Sequence, residues 1–418
     1  MKNKIITTIL TILIIALPIA IMPGNTTYNI PKVWTLLIGG AILLILLLIN
    51  YKKLELDKKD YVILIFALLV FISTICSSNI KISILGIDNR WEGMLAFYTY
   101  ILIYFCAKKF LKYKDNKTLL NVLYGVYISI SILGILQYYI KLPTNDLYPI
   151  FNKGACGTFG NTNFMGSFIS MGIPIFIITY IIKGDKISFI TSLLVFFCLI
   201  ACIARSGWIA FGIFSIILLI YLIKNKNKNF FKRIVILVVC FIMIFMLLYL
   251  PEKSIVKQKT NQVKNEVTIA KTKGLDDKLG SSRIQIWKIV IELIRKYPIL
   301  GVGPDNLHKG IFENLTETSI NFILRAKVSI DKAHNEYLHI AVTLGIPALV
   351  IYLTFLCMIV FPKLKNILKQ EKTFINLSVI ISYLAQAFFN ISTIGVAPLF
   401  WLALGLLDNQ NFKNRINE

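Results

Sequence analysis

Long apolar runs dominate the chain, separated by short clusters of Lys, Asn and Gly. A helix needs about twenty apolar residues to cross a bilayer core roughly 30 Å thick. By that ruler the pattern predicts twelve membrane helices, over 5–23, 33–50, 61–78, 93–110, 118–139, 163–182, 187–204, 206–223, 234–250, 336–361, 374–392 and 395–408, the last short for a full crossing. One stretch breaks the rhythm. Residues 251–335 are polar and long enough to form a small unit between the ninth and tenth spans. The predicted fold class is an all-α polytopic integral membrane protein with about twelve transmembrane helices and one large extracytoplasmic loop. Its parts are 1–250 with spans one to nine, 251–335 as the loop, and 336–418 with spans ten to twelve and a cytoplasmic tail.

The charges test this division. With the N-terminus inside, Lys52, Lys53, Lys58 and Lys59 fall in one cytoplasmic segment, and Lys112, Lys114 and Lys117 in the next, beside Lys108 and Lys109 at the end of the fourth span. Lys224, Lys226, Lys228, Lys232 and Arg233 fall in another, and Lys363, Lys365, Lys369 and Lys372 in a fourth. The short outer loops hold only Lys32, Lys81, Arg90, Lys141, Lys153 and Arg205. Positive residues concentrate on the cytoplasmic side of membrane proteins, so the bias supports both count and orientation. Long translocated segments escape that rule, and the many Lys of 251–335 do not oppose it.

Composition then removes other classes. The chain has 418 residues, 56% of them hydrophobic, and a mean hydropathy of +0.72, which no soluble domain of this length would show. A net charge of +24 raises the question of nucleic acid. The cations sit as anchors between apolar runs and not in an aromatic-laced basic domain, so no nucleic-acid partner is expected. The seven Cys lie in or beside apolar runs, or alone in a loop as Cys156 does, with no metal-ligand spacing; they read as small packing residues. The start, Met1 to Lys4 then an apolar run, lacks a small-x-small cleavage site and reads as the first membrane helix.

Few segments remain to carry chemistry. In SSRIQIWKIVIELIRKYPILGVGPDN (281–306), Ser281 or Ser282 is a helix N-cap, Ile284, Trp287, Val290, Ile291 and Ile294 make an apolar stripe, and Pro298 stops the helix. Arg283 falls in the first turn, where free amides suit an anion, and Gly301 to Pro304 form a turn expected to expose backbone amides. The bland reading of Arg283 is a solvated helix end. In AHNEYLHIAVTLGIP (333–347), His334 meets the tenth span, where a neutral imidazole can accept a proton or stand as an ordinary interfacial residue; His339 lies on a different face. Arg205, in IARSGWIAF, occupies a tight hairpin beside the membrane, where an unpaired charge is costly unless it snorkels. LGIDNRWEGM offers Arg90 and Glu92, simplest as a local ion pair. GTFGNTNFMGS offers Asn161 and Asn163, simplest as a turn and cap. Adjacent Asp276 and Asp277 lie in a Lys-rich stretch with no helix signal, and 251–280 is expected to order on substrate binding. No motif demands a nucleotide, a metal or another cofactor.

SRIQIW…YPILGVGPDN followed by AHNEYLHIAVTLGIP, within one large outer loop before a span, resembles the O-antigen ligase family. That family includes lipopolysaccharide ligases, O-antigen polymerases and protein O-oligosaccharyltransferases. GTFGNTNFMGSF and ARSGWIAF resemble its less specific motifs, and NRWEGMLAFYTY and NISTIGVAPLFWLALGLL look like its Gram-positive branch. The resemblance spans roughly 80–408. It implies a GT-C-like membrane glycosyltransferase in the cytoplasmic membrane, with both termini cytoplasmic and the active site extracytoplasmic. It implies inverting, metal-independent transfer from a glycan on undecaprenyl pyrophosphate to a hydroxyl of a surface polysaccharide, protein or wall polymer. Arg205 and Arg283 match the family's pyrophosphate-holding arginines, and His334 its proposed base; Arg90, Glu92, Asn163 and Asn335 are further substrate-contact candidates. Ala204 stands where many members have serine. The competing reading is a transporter or flippase of lipid-linked glycans. It is disfavoured because Arg205, Arg283 and His334 gather at the outer surface, whereas transporters place ionisable groups near the midplane.

Overall fold

The computed structural model describes residues 2–22, 29–112, 115–140, 154–273, 282–326, 330–365 and 370–409. Ser281, Asp276, Asp277, Lys114, Lys141, Lys153, Lys369 and most of the C-terminal tail lie outside them. Every described element of regular structure is helical: α1 (Lys2–Ile19), α2 (Ile30–Ile49), α3 (Lys58–Ile75), α4 (Ile80–Leu85), α5 (Met94–Phe110), α6 (Asp115–Ile140), α7 (Thr162–Lys183), α8 (Lys186–Ala201), α9 (Arg205–Asn225), α10 (Lys228–Tyr249), α11 (Ile255–Lys273), α12 (Arg283–Lys296), α13 (Leu307–Glu313), α14 (Glu317–Ala326), α15 (Glu336–Leu344), α16 (Ile346–Leu364), α17 (Glu371–Ala387) and α18 (Ala397–Asp408).

Each predicted apolar run falls on helical structure, the tenth on two helices. Among the described residues six helices are long and apolar enough to cross a membrane: α2, α6 from Lys117, α7, α9, α10 and α16. α1, α8 and α18 are apolar but shorter. With so many apolar helices the chain is a multi-pass membrane protein. α7 is the axis of the bundle, buried from Phe164 to Ile181 and packed against α8, α9 and α17. α10 is the opposite case: Val238, Val239, Ile242, Met243, Met246 and Leu247 are exposed. An apolar stripe that no protein covers fits contact with lipid chains.

The predicted tenth span is not one helix. It breaks at Gly345 into α15 and α16. The cause is the strap that follows α12. Val302 N–H donates to Val342 O at 2.9 Å, Gly303 N–H to Thr343 O at 2.9 Å, and Ile346 N–H to Pro298 O at 2.8 Å. Gly345 has φ +91°, and a Cβ there would lie 1.9 Å from Ile299 O. Only glycine tolerates that backbone and that approach. The same bonds correct the expectation for Gly301 to Pro304, whose amides are not presented to a ligand. They fix this turn to the end of α15.

A second, smaller apolar cluster joins α12, α13, α14 and the 330–342 segment around Ile286, Ile289, Val290, Leu293, Leu307 and Phe322. At the opposite end of the bundle, ion pairs tie α3, α5 and α18. Lys108 Nζ meets Asp57, Asp60 and Asp408 at 2.8, 2.7 and 2.8 Å, and Lys109 meets Asp60 at 2.8 Å. Lys59 also pairs with Asp408. Lys59, Lys108 and Lys109 are therefore not simple solvated anchors; their charges are matched inside the bundle, as burial requires.

Candidate functional site

The site begins where helices start. Ala204 ends a tight turn at Cys202–Ile203, and α9 opens on Arg205. Its two terminal nitrogens donate to Glu266 of α11 at 2.6 and 2.8 Å, a bidentate grip. A carboxylate thus holds Arg205, which offsets the cost of a charge in this hairpin. α12 opens on Arg283. Ser282 adopts a left-handed φ of 64° and its hydroxyl makes no capping bond, so the first turn keeps the amides that a cap would have taken. Among the described residues Arg283 has no hydrogen-bond or ion-pair partner. Burial and the nearby Arg205 pull its guanidinium below the ordinary range, against Glu266. Arg205 and Arg283 therefore share one electrostatic field, with Glu266 between them in effect.

His334 follows the second cluster and precedes α15, with φ 51°. Its neighbours are held on both sides. Trp287 Nε1 donates to Ala333 O at 3.0 Å, and Asn335 caps α15 by accepting from Leu338 N–H at 3.0 Å. The residues after it are anchors. Glu336 accepts from Tyr352 and Tyr383 at 3.2 and 2.8 Å, and Tyr337 donates to Leu384 O at 2.9 Å. The imidazole is pushed down to about 4 by burial and then by Arg283, against Asp331, with Arg90 and Lys332 adding to the fall. At neutral pH it carries a free lone pair.

Arg90 and Glu92 do not pair with each other. Arg90 Nε donates to Asp331 at 2.7 Å, and its guanidinium lies 5.5 Å from the Phe164 ring centre. Burial alone would raise the Asp331 carboxyl, but Arg90 outweighs it and holds it low. Glu92 is buried and meets Lys332 Nζ at 3.0 Å. Lys332 also meets Asp305 at 2.8 Å and His339 Nε2 at 3.2 Å. Burial would lower its ammonium, and Asp305 and Glu92 hold it above its usual value instead. The physical reason is spacing: Arg90 and Glu92 flank Trp91, whose φ of 56° belongs to a turn that sends them to different partners.

Asn161, not Asn163, caps α7, accepting from Asn163 N–H at 2.8 Å. The Asn163 carbonyl accepts from Asn390 Nδ2 at 3.0 Å. The structure thus gathers Arg205, Arg283, His334 and Arg90 in overlapping fields. Glu92 is engaged by Lys332, Asn335 caps α15, and the Asn163 carbonyl is held by Asn390. Sequence reasoning missed Glu266, Asp331, Lys332 and Asp305. Asp331 and Lys332 had a signal, being adjacent to the AHN motif. Glu266 had none, as one acid in a Lys- and Asn-rich stretch. α11 also shows that much of 251–280 is helical. Among the described residues no three His, Cys, Asp or Glu side chains group as a metal site.

The arrangement offers cations and an uncapped helix start to an anion, beside a histidine kept neutral. No curated protein matches the chain. A family profile does: residues 190–353, from α8 to α16, match the family described as O-antigen ligase. That stretch contains Arg205, Arg283 and His334, and over these residues the chain is similar to the O-antigen ligase family, a likeness that suggests glycan ligation or polymerisation at a membrane.

Proposed function

We propose that the chain is an inverting membrane glycosyltransferase that takes a glycan from an undecaprenyl-pyrophosphate donor and joins it to an acceptor hydroxyl. One observation carries this reading: a pair of electrostatically coupled arginines, Arg205 and Arg283, stands beside a histidine held neutral by burial and by Arg283. In this reading the donor pyrophosphate displaces Glu266 and binds both guanidiniums, which offset the charge that grows as it leaves. His334 takes the proton of the acceptor hydroxyl. The oxygen attacks the anomeric carbon from the face opposite the pyrophosphate, the carbon–oxygen bond to pyrophosphate breaks, and the lipid pyrophosphate departs. The proton rests on His334, and the anomeric configuration inverts. Arg90 steadies Asp331 at the edge of the site; Glu92 and Asn335 hold the floor.

The division into 1–250, 251–335 and 336–418 suits this chemistry, with the helices housing the lipid and the middle segment shaping the sugar and acceptor sites. The charge bias favours the cytoplasmic membrane, cytoplasmic termini and an extracytoplasmic site. Two arginines do the work a divalent ion does elsewhere, so chelation leaves the rate unchanged. The test is the surface glycan profile of a deletion strain complemented with wild type or His334→Ala. Loss of a surface glycan or glycoprotein that only wild type restores supports the reading, and the lost product names the acceptor. Full restoration by His334→Ala removes the base.

A further inference from the structure

Among the described residues, eleven buried side-chain nitrogen and oxygen atoms lack a partner, and five of them fall in two short stretches. Arg205 Nε and Ser206 Oγ begin α9; Gln386 Nε2, Asn390 Oδ1 and Thr393 Oγ1 lie at and just past the end of α17. α7 joins the two stretches. At Gly166 it approaches α9 so closely that a Cβ would lie 2.5 Å from that of Ala204. The next residue, Ser167, reaches Gln386 Oε1 at 2.6 Å and Asn390 Nδ2 at 2.7 Å.

These bonds show which amide atoms have partners. Asn390 Nδ2 also donates to the Asn163 carbonyl, so that end is the nitrogen and Oδ1 is the end without a donor. Ser167 Oγ has two acceptors within reach, Gln386 Oε1 at 2.6 Å and the Asn163 carbonyl at 3.0 Å; Gln386 Oε1 is the shorter contact, and Gln386 Nε2 has no acceptor. Gln386 and Asn390 are 0% and 1% exposed. A buried amide group left unmatched costs about 1–3 kcal/mol. Other buried polar groups, Lys108 and Glu336 among them, are partnered by ion pairs or hydrogen bonds. The end of α17 is also flanked by the candidate site. Trp287 stands edge-on to Phe388 at 5.8 Å, and Tyr337 bonds to Leu384 O.

We propose that Gln386 and Asn390 form the subsite for the neutral polar face of the donor's first glycosyl unit, the sugar bonded to pyrophosphate. This rests on the glycosyltransferase reading. A spare N–H beside a spare carbonyl oxygen suits a group that both accepts and donates. Ionised pyrophosphate only accepts, and the lipid tail does neither. A sugar hydroxyl or acetamido group does both, and the sugar next to the pyrophosphate is the one that lies against Arg205. Among the described residues no carboxylate bonds to Gln386, Asn390 or Thr393, so this end suits a neutral sugar.

The test measures binding of three probes to the full chain in lipid nanodiscs: bare undecaprenyl pyrophosphate, and the same lipid carrying an N-acetylhexosamine or a hexose. Two neutral hydrogen bonds predict roughly tenfold tighter binding of a sugar-bearing lipid. Gln386→Leu and Asn390→Leu remove that increment and leave the affinity of the bare lipid unchanged. A gain for the N-acetyl sugar alone assigns the acetamido group; equal gains assign hydroxyls. Gln386→Met, which keeps the side-chain volume, carries the test if a leucine variant does not fold. An increment that survives in both variants, or an equal loss for all three lipids, overturns the subsite alone. Wild type that does not bind the bare lipid overturns the glycosyltransferase reading and the subsite with it.

Discussion

His334 sets the pH behaviour. Its lowered value, about 4, means that the unfolded chain takes up a proton near pH 6.5 that the folded chain refuses until about pH 4. Stability is therefore expected to fall as pH drops from 6.5 to 4 and to level below that, read as thermal unfolding in detergent. The same value gives the activity profile of the free enzyme: kcat/KM holds through neutrality and falls as pH drops through about 4. In the donor complex a bound pyrophosphate offsets the Arg283 charge that depresses His334, so the limb in kcat lies at higher pH. Identical limbs in both parameters would separate His334 from the anion. His334→Ala is expected to lower kcat by about 10²- to 10⁴-fold, the usual contribution of a positioned base. Arg283→Lys keeps the charge and loses the planar fork; weakening of donor binding by roughly 10- to 100-fold follows from losing a charge-assisted bond. Unchanged donor affinity in that variant would place the pyrophosphate elsewhere.

Helices and straps govern access and position. α11 is largely exposed, with Val256 its one fully buried apolar side chain, and it reaches the site through Glu266. That carboxylate occupies the two guanidinium nitrogens a phosphate would take. Glu266→Gln is therefore expected to tighten donor binding, seen as a lower donor KM with kcat little changed; a raised KM would instead make Glu266 part of the donor site. The strap between α12 and α15 works by close approach. Gly345→Ala places a methyl against Ile299 O at a positive φ, and should destabilise by about 1–3 kcal/mol and disturb the loop bearing His334. Gly125 and Gly212 supply the control: both are helical, and a Cβ at either meets nothing within 4 Å. Alanine there should be neutral or stabilise by about 0.5–1 kcal/mol. Equal effects at all three sites would remove the strap's special status.

In the molecule as a whole, two charged clusters lock opposite ends of the bundle. Lys332 binds Glu92, Asp305 and His339 under the candidate site, and Lys108 binds Asp57, Asp60 and Asp408 at the other end. Removing one partner of a buried pair leaves its mate uncompensated, at about 3–5 kcal/mol. Lys108→Met is thus expected to lower thermal stability sharply with little effect on donor affinity in the fraction that remains folded, because α3, α5 and α18 meet far from Arg205 in the bundle. Lys332→Met should affect both, since it shares the field of His334.

Apolar run length and charge bias, both local along the chain, were enough to mark the helices and the polar interruption, because a bilayer imposes one length on every crossing. Arg205, Arg283 and His334 could be singled out for a similar reason: each stands at an element boundary, where a charge or an imidazole is conspicuous. Their partners could not. Glu266 lies 61 residues from Arg205, Lys332 lies 240 from Glu92, and Asp331 lies 241 from Arg90. A charge announces that it needs a counter-charge without saying which one, and Arg90 beside Glu92 gave the wrong pairing for that reason. The break at Gly345 was hidden in the same way, because an apolar run does not reveal that a distant strap has taken its carbonyls. Where the apolar helices run follows from local periodicity; which buried polar atoms are matched, and which are left open for a ligand, is decided only when packing removes the water that would otherwise have satisfied them all.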